Sequence, residues 1–138
     1  MTATTQLTLK MNPPLAGFEE IDTYTFLPIA DNPYFYWLDA EDGPKFLLTK
    51  PEYFFPGYLQ QVKSYLMTNI GENEDNLGKW DVYLIITLAA KPQNMTANLL
   101  GPLFINPTQK KAKQIVLYES NFTTRHYLFP PEQRRNCG

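Results

Sequence analysis

The most regular hydrophobic pattern in the chain lies at residues 80–88. Its side chains are β-branched or aromatic, and apolar residues occupy both faces of an extended segment. Val82 and Leu84 share one face with Ile86, whereas Tyr83 and Ile85 share the other. This pattern predicts a central strand that is covered on both sides.

Two further strands are predicted after this segment. Residues 95–106 read as one strand interrupted at Gly101-Pro102, a dipeptide that suits a bulge or a sharp bend. Residues 106–109 contain an Asn-Pro sequence typical of a turn. Residues 114–118 then have the composition of a strand and are predicted to form the third one. Because the connections are short, the three strands are expected to form an antiparallel meander.

The first half of the chain predicts shorter elements. Strands are expected at residues 6–11, 21–29, 34–38 and 45–49. The strand at 6–11 is expected at a sheet edge, and those at 34–38 and 45–49 are expected to form a hairpin. Near the other end of the chain, a final short strand is expected at 123–129. Residues 59–70 carry apolar side chains at helical spacing, which favours an amphipathic helix, although a strand over 58–70 stays open. Residues 72–79 are expected to form an exposed acidic loop.

These elements predict a mainly β fold, a small antiparallel β-barrel or barrel-like sandwich with one short helix. The 138 residues suit one domain at 1–130, followed by a disordered tail at 131–138. Aromatic residues make up 14% of the chain and prolines number twelve, which favours strands and turns over a helical bundle. Prolines also interrupt the strand edges, so a monomer is expected.

Composition indicates the cellular compartment in which the protein is found. No apolar run approaches the ~18 residues of a membrane span, and no signal-peptide pattern is present. The lone cysteine, Cys137, cannot form an internal disulfide. We therefore expect a cytoplasmic protein that does not associate with membranes.

Charge is distributed unevenly along the chain. Residues 1–60 hold eight acidic residues and three lysines, whereas residues 91–138 hold seven basic residues and two acidic ones. This distribution is typical of ordinary solvated faces, but it also suits a dipolar surface that recognises a partner by charge. The net charge of −2 and the lack of a basic stripe do not favour direct nucleic-acid binding.

Few residues could support catalysis or bind a metal. His126 is the only histidine, which excludes a multi-histidine metal site. Glu72, Glu74 and Asp75 are too closely spaced for a calcium loop, and no glycine-rich phosphate loop occurs. We expect a protein that is not an enzyme and needs no cofactor or metal. The alternative is a small β-barrel ligand-binding protein, or an enzyme of unknown substrate, with a polar pocket.

Several sequence blocks resemble the bacterial flagellar assembly factor FliW family. The blocks are Leu15-Ala16-Gly17-Phe18-Glu19, the Pro-x-x-Phe-Phe-Pro-x-Tyr segment of residues 51–58, Met95-Thr96-x-Asn98-Leu99, Gly101-Pro102-Leu103-x-Ile105-Asn106-Pro107, and Lys113-Gln114-Ile115-Val116-Leu117. The resemblance implies a cytoplasmic protein that binds flagellin before export. It also implies that the free protein sequesters CsrA, a translational repressor of flagellin synthesis.

The resemblance and the strand pattern together suggest which residues contact partners. Thr96 and Asn98 fall on one face of the predicted strand, opposite Met95 and Ala97, and could point outward. The full expected partner-binding set is Thr96, Asn98, Asn106, Arg125, His126, Glu72, Glu74 and Asp75. The three acidic residues would add charge complementarity to a basic partner. Thr96 and Asn98 could equally serve strand pairing or a turn.

Overall fold

The computed structural model describes residues 6–40, 43–69, 71, 73–118 and 120–129. The predicted tail at 131–138, with Cys137, and the predicted site residue Glu72 lie outside these ranges. Glu74 lies within a helix, but its side chain is outside the description.

Nine strands and two helices make up the described chain. The strands are β1 (Leu7–Met11), β2 (Thr23–Ile29), β3 (Asn32–Ala40), β4 (Lys45–Thr49), β5 (Asp81–Thr87), β6 (Thr96–Ala97), β7 (Leu103–Asn106), β8 (Lys111–Gln114) and β9 (His126–Tyr127). The helices are α1 (Tyr58–Asn69) and the single turn α2 (Glu74–Leu77), and 3₁₀ turns occur at Pro51–Tyr53 and Pro92–Asn94.

Seven strands close into a barrel. Their order is β4-β3-β2-β1-β8-β7-β5, and pairing between β4 and β5 closes the ring. Strands β6 and β9 continue from β5 as two extra strands outside the ring. The predicted mainly β barrel with one short helix is therefore confirmed.

The prediction that the first strand lies at a sheet edge is wrong. Strand β1 pairs antiparallel with β2 and parallel with β8, and the β1–β8 pair is the one parallel pair among the described pairings. Leu9 and Met11 point into the barrel and are almost fully buried, because their positions alternate with the outward-facing Lys10. The N-terminal strand thus helps to close the barrel.

Strand β5 is apolar on both faces because each face meets a different core. Tyr83 and Ile85 belong to the core inside the barrel. Leu84 and Ile86 belong to a second core that lies between the barrel wall and α1. Helix α1 contributes Val62 and Leu66, whose side chains are essentially fully buried. The predicted helix over 59–70 is thus confirmed, and its apolar stripe covers the barrel wall.

The predicted break at Gly101-Pro102 separates β6 from β7. Both strands pair with β5: Ala97 lies opposite Ile86, and Leu103 lies opposite Tyr83. Five residues, 98–102, therefore face only two residues of β5. The surplus bulges away from the ladder, so that β7 belongs to the barrel and β6 lies beyond it.

Two predicted boundaries differ from the structure. The last strand of the meander is Lys111–Gln114, not residues 114–118. The backbone of Ile115 and Leu117 instead donates to Pro102 and Leu100, so this segment follows the irregular bulge rather than a regular ladder. Residues 72–79 were expected to be a loop, yet they contain α2. This helix forms because Leu77 is buried in the second core, between the barrel wall and α1.

Candidate protein-binding surface

The predicted partner-binding residues fall into two groups. Thr96, Arg125 and His126 lie where β6 pairs with β9, near the Thr87 end of β5. Asn106 lies beyond the Asp81 end of the same strand, and Asp75 lies in α2, which precedes that end. Since β5 spans seven residues, the two groups are separated by about 20 Å. They cannot form one compact site.

Strands β6 and β9 form a short ribbon outside the closed barrel. Thr96 pairs with Tyr127, and Ala97 pairs with His126. Ala97 is fully buried and Thr96 is only 9% exposed, so the β6 half of the ribbon presents little side-chain surface. Arg125 and His126 are exposed on the β9 half. The ribbon therefore offers β9 rather than β6 to solvent.

Asn98 and Asn106 hold the local backbone. The Oδ1 atom of Asn98 accepts a hydrogen bond of 2.8 Å from the Gly101 N–H, inside the bulge. The Oδ1 atom of Asn106 accepts one of 3.0 Å from the Gln109 N–H, across the β7–β8 turn. Both are side-chain-to-backbone bonds of the Asx type, which fix a turn. The hydrogen bond to Gly101 thus supports the interpretation that Asn98 fixes a turn.

A glutamine that the sequence analysis did not single out links two separate bends. The Nε2 atom of Gln114 donates 3.0 Å to the Gly101 carbonyl, and its Oε1 atom accepts 3.1 Å from the Ala16 N–H. Gly17, the next residue, has a φ of +87°, as expected for the turn at residues 15–19. Gln114 therefore joins the N-terminal turn to the bulge that separates β6 from β7.

The aromatic segment of residues 51–58 holds the ribbon against the barrel. The ring of Phe55 lies edge-on to His126, with centroids 5.4 Å apart, and Phe54 contacts Phe129 at 5.9 Å. The Tyr58 hydroxyl donates a buried hydrogen bond of 2.6 Å to the Leu99 carbonyl. Burial raises the pKa of Tyr58 far above its usual value. These contacts give the exposed face of β9 a rigid support.

Two large exposed side chains extend the surface of the ribbon. Leu88 follows the end of β5 and is 60% exposed, and Tyr127 of β9 is 46% exposed. Together with Arg125 and His126 they place apolar, aromatic and cationic groups around the ribbon, with Arg125 and Tyr127 on one face of the strand and His126, beside Phe55, on the other. Such a mixture is typical of protein-binding surfaces. We call Leu88, Arg125, His126 and Tyr127 the ribbon surface. Neither Leu88 nor Tyr127 could be selected from sequence, because alternation alone does not show where a strand leaves the core.

The described residues contain neither a metal-binding cluster nor a membrane-spanning helix. No group of three or more His, Cys, Asp or Glu side chains within these ranges could hold a metal ion. None of the helices in the same part of the chain has the length and apolar character needed to span a bilayer.

Comparison with known proteins identifies the family. The family model described as FliW protein matches residues 1–128. The chain belongs to the FliW family. The flagellar assembly factor FliW of Moorella thermoacetica is 36% identical, over 88% of this chain and 83% of that protein. The flagellar assembly factor FliW of Heliobacterium modesticaldum is also 36% identical, over 84% of this chain and 76% of that protein.

A solved structure has the same fold. The crystal structure of a flagellar assembly factor FliW superposes with a TM-score of 0.72 at 27% identity, covering 91% of this chain and 87% of that one. The family resemblance expected from the sequence blocks is therefore confirmed, and these relatives are flagellar assembly factors.

Proposed function

We propose that this protein binds flagellin before export and that, once flagellin has been exported, it sequesters a CsrA-type translational repressor. Flagellin synthesis would thereby follow the progress of flagellar assembly. Flagellin before its export and the repressor would both be met in the cytoplasm, and we propose that this protein acts there, without binding nucleic acid directly. The observation that carries the proposal is membership of the family of flagellar assembly factors over residues 1–128.

The ribbon surface supports a role in protein binding. Leu88 and Tyr127 expose apolar area, and Arg125 and His126 add hydrogen-bond donors beside it. The edge-on contact between Phe55 and His126 limits the movement of the imidazole. A rigid patch loses less conformational entropy when a partner binds, which favours affinity.

We propose different roles for the predicted site residues. Arg125 and His126 contact a partner directly, whereas Asn98 and Asn106 act by fixing the turns on either side of β7. Thr96 supports β9 through its pairing with Tyr127. The acidic residues Glu72, Glu74 and Asp75 would chiefly raise the association rate with a basic partner.

Titration calorimetry with purified flagellin and with a purified CsrA-type protein tests this proposal. The wild-type protein is expected to bind both. The double variant Arg125→Ala/His126→Ala is expected to bind at least one of them about tenfold or more weakly, because it removes two polar contacts. A thermal melt of the variant measures how much stability is lost with the Phe55–His126 contact. Tyr118→Ala, which alters an exposed tyrosine away from the ribbon, is the matched control.

The two parts of the proposal can fail separately. No measurable heat with either partner for the wild-type protein would remove the proposed function. Wild-type affinity of the double variant for both partners would keep the function and move the binding site away from the ribbon surface.

A further inference from the structure

A groove lies at the end of the β2–β3 hairpin, distant in sequence from the ribbon surface. Its volume is about 840 Å³, and it is open to solvent along one side. Leu27 and Pro28 contribute apolar wall, and Tyr36 and Tyr53 line the groove with aromatic rings. The volume is in the range that accommodates a whole small ligand or several residues of a peptide.

Two tyrosines, Tyr36 and Tyr53, line this groove, and a third, Tyr34, packs against Tyr53. Tyr34 and Tyr53 are 53% and 39% exposed, and their rings meet edge-on at 87° with centroids 5.2 Å apart. Tyr36 is held from inside the barrel by Tyr83, also edge-on, at 5.3 Å. A hydrogen bond between the Tyr36 and Tyr53 hydroxyls adds to the effect of burial in raising the pKa of Tyr36 to about 12. The rings are therefore fixed, and two of them remain accessible.

The charge at the groove is negative. Asp31 lines it, and no lysine or arginine is among the described lining residues. Glu52 is adjacent to Tyr53 in the chain, but it lines a neighbouring pocket together with Lys50 and Lys63. Within the described part of the chain, Asp31 forms no ion pair. The Asp31 carboxylate is therefore available to an external cation.

We propose that this groove binds an arginine side chain carried on an extended segment of a protein partner. Tyrosine faces attract cations, and a guanidinium group can stack on a ring while it donates to a carboxylate. Arginine fits better than lysine, because its planar group matches both the rings and the Asp31 carboxylate. A groove of this volume that is open to solvent suits a peptide segment rather than an enclosed metabolite. The inference rests on the proposed function only in assuming that the ligand belongs to a protein partner.

Two-dimensional amide NMR with a blocked pentapeptide, Ala-Arg-Ala-Arg-Ala, tests the inference. Saturable shifts are expected at residues 27–36 and at Tyr53. The same peptide with citrulline in place of arginine, which is neutral but nearly isosteric, is expected to produce no such shifts. Raising the salt concentration is expected to weaken binding of the arginine peptide, since the Asp31 carboxylate acts partly through solvent.

Variants at the groove separate the contributions of the rings and the acid. Tyr53→Ala is expected to weaken peptide binding about two- to thirty-fold by removing a partly exposed ring that lines the groove. Asp31→Asn is expected to weaken it about two- to five-fold, because an exposed ion pair contributes modestly. Tyr118→Ala removes a tyrosine that is 71% exposed and lies outside the groove, and it is expected to leave the affinity unchanged.

Several results would overturn the inference. Equal binding of the citrulline peptide, or equal weakening by Tyr118→Ala, would show non-specific association. Binding that occurs only after Arg134 and Arg135 are changed to glutamine would assign the groove to this chain's own C-terminal segment. Shifts at the groove that depend on protein concentration without peptide would assign it to a second copy.

The test is independent of the fate of the proposed function. If the wild-type protein captures flagellin or the CsrA-type protein but the peptide does not bind at residues 27–36, the groove inference alone is wrong. If the peptide binds as expected and neither partner is captured, the proposed function alone is wrong.

Discussion

Replacing Gly101 with alanine is expected to disrupt the link that Gln114 makes between the bulge and the N-terminal turn. A Cβ atom built on Gly101 would lie 2.7 Å from Nε2 of Gln114 and 3.3 Å from Nδ2 of Asn98. The first distance is shorter than real contacts allow, so the Gln114 amide has to move. Its hydrogen bonds to the Gly101 carbonyl and from the Ala16 N–H would then weaken or break.

The magnitude follows from the bonds at risk. Each contributes about 0.5–1.5 kcal/mol, so losing both costs about 1–3 kcal/mol. Alanine also restricts the unfolded chain, which returns about 0.4–1 kcal/mol because φ at Gly101 is not in the left-handed region. The net loss for Gly101→Ala is therefore expected to be about 0–2.6 kcal/mol. At this chain length the upper end corresponds to a melting temperature lower by roughly 10 °C.

A double-mutant cycle with Gln114→Ala isolates this mechanism. In the Gln114→Ala background the obstructing amide is absent, so Gly101→Ala is expected to be neutral or slightly stabilising. The coupling free energy between the two sites should reach about 1–3 kcal/mol, measured by urea unfolding of the four proteins. Additive effects would refute the reasoning, since they would show that the new methyl group does not act through Gln114. Gln109→Ala, at an exposed turn position, serves as the unlinked control.

Three further outcomes are expected. Tyr58→Phe should lower the free energy of unfolding by about 1–3 kcal/mol, because it leaves the buried Leu99 carbonyl without its donor. Tyr24→Phe should leave the free energy of unfolding unchanged or raise it by about 1 kcal/mol, because the buried Tyr24 hydroxyl has no hydrogen-bond partner among the described residues. Chemical denaturation of both variants checks this contrast. Asn98→Ala and Asn106→Ala should each cost about 1 kcal/mol in the same assay, and a variant with wild-type stability would show that its turn does not need the side chain. The buried tyrosines should leave the free energy of unfolding unchanged below pH 10 and lower it as pH rises through 12. The reason is that folding raises the pKa values of Tyr36, Tyr58 and Tyr83 above the 10.0 of a free phenol. A flat curve of unfolding free energy from pH 9 to 12 would contradict this.

The fold could be predicted largely from local pattern. Strand β5 was recognisable because both its faces are apolar, and α1 because Val62 and Leu66 recur at helical spacing. The break before β7 was marked by Gly101-Pro102. These features depend on residues close together in sequence, and this is the range over which periodicity and turn chemistry act.

The errors concern contacts between distant parts of the chain. Strand β1 has an edge-like sequence, and its pairing with β8 depends on residues about 100 positions away. Leu77 looked like part of a polar loop because its burial depends on α1. In the candidate site, the roles of Asn98 and Gln114 are set by bonds to the backbone of the bulge, which no alternation pattern reveals. The pairing of His126 with Ala97 likewise joins two segments that are separate in sequence.

Closure of the barrel through β1 and β8 has a consequence for how the chain folds. Met11 cannot meet Ala112 until nearly all of the domain has left the ribosome. Until then, hairpins such as β2–β3 and β3–β4 can form from local sequence, but one side of β1 lacks its partner. An unpaired strand of this kind is open to pairing with another chain. The last step of folding is therefore expected to be slow relative to hairpin formation, and crowding of nascent chains should be most damaging just before β8 emerges.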